Sequence, residues 1–215
     1  MGARRGWFRR DAAAPALLAL LAVVVGGSCG GSWTAPTAPA RFARIDLETI
    51  VLSADDAPAG TSYVGVVSGF QDLGTFARDA QELGHLREDG FVVGHLALFF
   101  PRSHTDGSAP LTTRSVIVQG ITGLFRTAAG ARSALVRFVG DLRDRQIPAA
   151  TEVITGPLGD QGFGLAGDTP DGSHVVIFAW RLDNLVLAVS GSGPIGRATV
   201  RRLVSLVNER ADALG

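Results

Sequence analysis

Lysine is missing from this chain: every one of its 20 basic residues is an arginine. They face 20 acidic residues, so the formal net charge is zero and the one-sided positive field of a nucleic-acid binder is absent. A single cysteine, Cys29, excludes an internal disulfide, a CxxC redox pair and a thiolate zinc site. Charged residues make up only 19% of the 215, against 46% hydrophobic. That balance excludes a chain disordered by composition and supplies one domain of moderate size with enough apolar material for a core. The arginine-only basic set, with abundant Ala, Gly, Val and Leu, fits a genome of high G+C content and carries no mechanism.

What is present begins with a leader. Arg4, Arg5, Arg9 and Arg10 precede an apolar run from Ala12 to Val25, broken by Pro15 and followed by Gly26-Gly27-Ser28-Cys29. Fourteen residues are short of the roughly 20 a membrane-spanning helix needs. The run has no amphipathic face, and glycines punctuate its end, so it does not suit a core helix. A charged start, an apolar middle and a small-residue end describe an export signal over residues 1–28. Gly27 and Ser28 before Cys29 resemble a lipoprotein lipobox, with a departure at Gly26, where that pattern prefers an aliphatic residue. Cys29 is therefore the candidate lipid-attachment site; a plain secretory signal with an incidental cysteine is the alternative. Arg4-Arg5 followed by Trp7-Phe8 also resembles a degenerate twin-arginine signal. Residues 29–44, rich in Pro, Thr, Ala and Gly at first, read as a tether, with Thr34 and Thr37 as possible acceptors of O-linked sugar. Without residues 1–28 the chain keeps 16 Arg against 19 acids, a charge of −3 that does not favour attraction to anionic lipid.

Residues 45–215 read as a single α+β domain. A short helix is expected near Asp46–Leu52, a strand over Tyr63–Ser68 and a helix over Leu73–Leu86 weakened by Gly74 and Gly84. Phe91–Phe100 is apolar on both faces and ends at Pro101; a loop covers Arg102–Pro110, and Arg114–Phe125 is the next strand. Ala131, Leu135, Phe138, Val139 and Leu142 recur at helical spacing before Pro148. Strands follow at Glu152–Thr155, Gly162–Ala166, His174–Trp180 and Leu185–Ser190, the last two joined as a hairpin at Arg181-Leu182-Asp183-Asn184. Val200, Leu203, Val204, Val207, Ala211 and Leu214 form a closing helical stripe. The order strand, strand, helix thus occurs twice, over 91–145 and 173–214. Hairpins rather than crossovers imply a largely antiparallel sheet, with the helices packed on one face and two ββα-like halves.

Chemistry-bearing patterns are sparse. Gly191, Gly193 and Gly196 spell GxGxxG between a strand and a helix, the setting of a dinucleotide turn. Only nineteen residues follow Gly196, too few for the second parallel strand and its acidic ribose ligand, so a glycine-rich turn with Pro194 near the helix start is expected. His85, His95, His104 and His174 have no metal-ligand spacing, and His95 shares its strand face with Phe91, Val93 and Phe99, as a core or edge histidine does. No GxSxG elbow is present. Gly159-Asp160 and Gly167-Asp168 could form a carboxylate pair in space, although turn chemistry explains both. Phe99, Phe100, Phe125, Phe138, Phe163, Phe178 and Trp180 are candidates for an apolar cavity or simply for the core.

Four segments recur together: Asp55-Asp56-Ala57-Pro58-Ala59-Gly60, Ala128-Ala129-Gly130-Ala131, Leu158-Gly159-Asp160 and Trp180-Arg181-Leu182-Asp183-Asn184-Leu185-Val186. In that order, over about residues 45–214, they resemble exported lipoproteins and lipid-anchored envelope domains of high-G+C Gram-positive bacteria of the actinobacterial type. The resemblance implies a location and a fold, and no catalytic residue. The expected protein is a surface-anchored extracytoplasmic lipoprotein on the outer face of the cytoplasmic membrane, the secreted form being the alternative. No enzyme, cofactor, metal or nucleic-acid role is expected. The doubly apolar strands 91–100 and 173–180 suggest an apolar or amphiphilic envelope ligand held between sheet and helices; the alternative is a non-enzymatic interaction or structural accessory of an envelope complex.

Overall fold

Alternating apolar residues, broken by turn-forming glycines and aspartates, lay down eight strands: β1 (Thr61–Tyr63), β2 (Gly69–Gln71), β3 (Phe91–Pro101), β4 (Ile117–Phe125), β5 (Thr151–Glu152), β6 (Gln161–Asp168), β7 (His174–Leu182) and β8 (Leu185–Ser192). The computed structural model describes residues 40–214; the leader 1–28, Cys29 and the tether as far as residue 39 lie outside the described residues. Among the described residues the strands form one sheet in the order β1-β3-β4-β8-β7-β6-β5, with β2 also paired to β3. Every pairing is antiparallel. Six α-helices among the described residues accompany the sheet: α1 (Leu47–Ile50), α2 (Leu73–Phe76), α3 (Ala80–Glu88), α4 (Arg102–Thr105), α5 (Ala128–Asp141) and α6 (Arg197–Asp212). The antiparallel α+β architecture is the one expected.

The placement of all helices on one face is corrected by the register of β7. Its odd residues Val175, Ile177 and Ala179 pack with Leu135, Phe138 and Val139 of α5. Its even residues Val176, Phe178, Trp180 and Leu182 pack with Val200, Leu203, Val204 and Val207 of α6. Successive side chains of a strand point to opposite faces, so α5 and α6 cover opposite sides. A central strand apolar on both faces demands a cover on each. The two ββα successions, β3-β4-α5 and β7-β8-α6, exist, but their helices do not occupy equivalent positions.

Three local expectations also change. Tyr63–Ser68 is not a continuous strand. β1 pairs with Phe99–Pro101 and β2 with Gly94–Leu96, so together they form one edge of β3, interrupted by an outward loop over residues 64–68. Leu73–Leu86 is split into α2 and α3 because a second N-cap starts inside it: Asp79 Oδ1 accepts from the Glu82 N–H at 2.8 Å, as Asp72 Oδ1 does from Thr75. Leu214 lies past the end of α6 and is 41% exposed, whereas the other five members of its stripe are buried.

Packing begins ahead of residue 45. Phe42 is buried, held by Asn184 in the β7–β8 turn. The Asn184 Oδ1 accepts from the Phe42 N–H at 3.0 Å, and its Nδ2 donates to the carbonyls of Phe42 at 3.0 Å and Phe125 at 2.8 Å. The turn residue before it, Asp183, has φ 49° and donates its N–H to Asp160 at 2.7 Å. From Phe42 the chain passes under α6, burying Leu47, Ile50, Val51 and Leu52, and Arg210 of α6 binds both Asp56 oxygens and the Val51 carbonyl.

Candidate functional site

β3 is the strand whose second face the helices leave partly open. Its residues Val93, Ala97 and Phe99 enter the core shared with α6. Leu96, Leu98 and Phe100 point the other way. On that side α5 packs over β4, β8 and β7, and α2 and α3 reach β3 from its start. Over the far half of β3 the described residues supply only loops and the single turn of α4, which leaves an open groove of about 1210 Å³. Leu96, Leu98 and Ile117 form its floor. One lip is the outward loop over residues 64–68 with Phe70; the other is Thr105 with Pro110 and Leu111 after α4.

The groove is apolar with hydroxyl and amide groups at its margin: Tyr63, Ser68, Gln71, Thr75 and Thr105. Among the described residues no Asp, Glu or Arg lines it. Tyr63 is fixed edge-on against Phe99, ring centroids 5.6 Å apart. His104, the imidazole at the wall, has Nδ1 3.3 Å from the Ala109 carbonyl. The lip is fixed at its base on both sides of Leu98: the Val64 N–H donates to the Leu98 carbonyl at 2.9 Å, and the Leu98 N–H donates to Ser68 Oγ at 3.0 Å. Such a surface holds a ligand through burial of apolar area, worth about 0.8 kcal/mol per methylene, with the polar margin orienting a head group.

A second cavity, about 20 Å³, lies beneath α3 and α5 among Phe76, Leu86, Phe125 and Phe138. It has room for one water-sized sphere and no ligand.

The other candidate residues serve the fold. His95 is buried against Phe70, ring centroids 5.1 Å apart, and burial lowers its pKa to about 4, so it is neutral at physiological pH. The bulge between Phe91 and Val93 moves Phe91 off the His95 face and into the cluster under α3 and α5. His174 Nδ1 lies 2.8 Å from Asp168 at the exposed end of the β6–β7 pair. Among the described residues no three metal-ligating side chains converge. Asp160 and Asp168 flank the length of β6, about 25 Å at strand rise, so they form no carboxylate pair; Asp160 instead binds Arg181 at 2.9 Å and pins the β7–β8 turn. Of the seven aromatic candidates only Phe100 lines the groove. Gly193 has φ 72°, and a Cβ there would meet the Ser115 carbonyl at 2.4 Å; a Cβ on Gly191 would meet Ile195 and Val200. β8 runs antiparallel to both its neighbours, which is not the parallel βαβ setting of a dinucleotide turn.

The strand 173–180, expected to border a ligand, is covered on both faces, so the groove lies at the β3 edge of the sheet instead. Its lips went unforeseen, because an apolar glycine-containing segment at Val64-Gly65-Val66-Val67 reads equally as strand or as turn. The available signal was that β3 is apolar on both faces while the sequence around it offers only short, broken helices.

No protein-family model matches the chain, and no curated protein sequence matches it. The fold defines an α+β domain built on a single antiparallel sheet. That fold is shared with the extracellular domain of PknH from Mycobacterium tuberculosis, at a TM-score of 0.55 and 10% sequence identity, covering 82% of this chain and 98% of that domain. At this identity the likeness is one of fold.

Proposed function

We propose that the protein is an extracytoplasmic, lipid-anchored binding domain whose groove over β3 takes an apolar or amphiphilic molecule of the cell envelope. The groove of about 1210 Å³, lined by no acidic residue or arginine among the described residues, carries this reading. The leader with Cys29 at its end supports the location, as does the shared fold with a mycobacterial extracellular domain. The reading includes no chemical step: the domain binds and presents.

The test is solvent extraction and mass spectrometry of the chain purified from its native host, beside Leu111→Trp, which fills the groove from a half-buried rim position. A lipid present in stoichiometric amount in the parent and lost in the variant is the expected result. A parent free of lipid that also takes up no fluorescent fatty-acid analogue would overturn the reading in favour of a protein-interaction accessory.

A further inference from the structure

The β1–β2 loop is a built protrusion with an apolar tip. Its two ends are clamped to the Leu98 backbone, while Val66 is 93% exposed, Val67 45% and Phe70 40%. Scattered apolar side chains on a surface need no explanation, but several gathered on one projecting edge do. A fourth joins them: Ile45, 69% exposed, follows Arg44, whose guanidinium carbon lies 5.8 Å from the Phe70 ring centroid.

We propose that this edge, the loop over residues 64–68 with Phe70, Ile45 and Arg44, seats in the surface of a phospholipid bilayer containing acidic lipid. Three observations commit it to that occupant. The first is charge. No acidic residue occurs from Thr61 to Gln71; of the acids flanking the edge, Asp72 caps α2 through the Thr75 N–H and hydroxyl, and Asp46, next to Ile45, accepts from the Ala43 N–H, which leaves Glu48 as the exposed acid nearest Ile45 in sequence. The single cation, Arg44, is exposed beside the apolar ring, an arrangement that lets the guanidinium reach lipid phosphates while its stem and Phe70 sit deeper. The charge of −3 on the chain without residues 1–28 does not oppose this, because the contact is local and apolar at its centre.

The second is the course of the chain. The described structure begins at Ala40, four residues before Arg44, and ten residues lie between Cys29 and Ala40. Fully extended they span at most about 40 Å, so a lipid on Cys29 keeps this edge within reach of the leaflet that holds it. This argument rests on the anchoring half of the proposed function. The third is continuity: Val66, Val67 and Phe70 also line the groove. Seating them opens the groove onto the leaflet, and an amphiphile enters without crossing water.

The experiment uses the acylated full chain, in which the Cys29 sulfur is taken up by its lipid, so that an introduced thiol is the one that reacts. Val66→Cys carries an environment-sensitive fluorophore, and a parallel sample carries it at Ile154→Cys, 84% exposed next to β5 at the opposite edge of the sheet. Each is reconstituted in phosphatidylcholine–phosphatidylglycerol vesicles with and without spin-labelled lipid, and only protein that floats with the vesicles is read. The label at position 66 is expected to shift to the blue and to be quenched several-fold more than the label at 154. Equal quenching at the two positions, or none at 66, overturns the proposal. The lipid extraction of the unlabelled parent stays separate: a lipid-loaded groove with an unquenched label removes the bilayer contact and leaves the groove reading standing, and the reverse pair does the opposite.

Discussion

Replacing Asn184 by alanine removes the one side chain that joins the start of the domain, the end of β4 and the β7–β8 turn. Asn184 is 1% exposed and makes three side-chain hydrogen bonds to backbone, at 2.8, 3.0 and 3.0 Å. A hydrogen bond of this kind contributes about 1 kcal/mol net, and a buried partner left unsatisfied costs about 1–3 kcal/mol. The three together give a loss of about 3 kcal/mol for Asn184→Ala, a large part of a typical domain's stability of about 5–15 kcal/mol. Asn184→Asp is the sharper probe. It keeps the acceptor for the Phe42 N–H but replaces Nδ2, which donates to both carbonyls, with a carboxylate oxygen facing Phe42 and Phe125. Its loss should exceed that of Asn184→Ala at neutral pH, and part should return on acidification, when a protonated carboxyl regains one donor. Denaturant unfolding, followed by the fluorescence of the fully buried Trp180 and compared with the parent at each pH, measures both. A loss under about 1 kcal/mol for Asn184→Ala, or an aspartate no worse than alanine, would refute the claim that this amide holds residue 42 to the sheet.

The remaining predictions concern α6, two buried titrating groups and the leader. Leu203→Ala, at a position 4% exposed beneath α6, should cost about 2–5 kcal/mol in denaturant melts, while Arg202→Ala on the exposed side leaves the midpoint in place; a silent Leu203→Ala would mean that α6 does not pack on the sheet. Burial raises the Glu82 pKa from 4.5 to about 7 and lowers that of His95 from 6.5 to about 4. The folded state therefore binds the Glu82 proton more tightly than the unfolded chain does, and the His95 proton less tightly, so between about pH 4.5 and 6.5 their contributions to the slope of stability oppose each other. Glu82→Gln should expose the His95 effect, stability falling on acidification through that window, and His95→Phe should expose the Glu82 effect, stability rising; parallel pH profiles for both variants would count against the two shifts. Cys29→Ala should abolish labelling by a fatty-acid analogue, and undiminished labelling of the variant would remove the anchor.

Much of the architecture was readable because strong patterns and strong local chemistry agreed. The stripe from Val200 to Ala211 admits only a helix with one buried face, and Asp183-Asn184 between two apolar runs admits only a hairpin. What escaped depended on pairing at a distance. Which face each helix covers is decided by β7 lying between β8 and β6, so that both its odd and its even residues must be buried. The outward loop at 64–68 exists because Leu98, thirty or more residues away, bonds both of its ends. The groove is still less legible: it is the space over β3 that the long helices α5 and α6 leave uncovered, and a missing cover leaves no mark on the residues beneath it, since Leu96 and Leu98 are as apolar as any core leucine. The break between α2 and α3 was the exception, for Asp79 and Glu82 have the spacing of an N-cap and its third residue in plain view.

The seating of residues 42–52 under α6 reverses the order of synthesis. The first described part of the chain to be made is among the last to be buried, because Asn184 and the helix from Arg197 to Asp212 that cover it come from the far end. β4 likewise waits for β8, more than sixty residues later, before the middle of the sheet can close. A polypeptide emerging N-terminus first can form the β3–β4 hairpin and α5 early, but it holds Leu47, Ile50 and Leu52 open to solvent until nearly all of it is available. Removal of the final turns of α6, with Val207, Arg210 and Ala211, would be felt first as the release of a segment some 160 residues upstream.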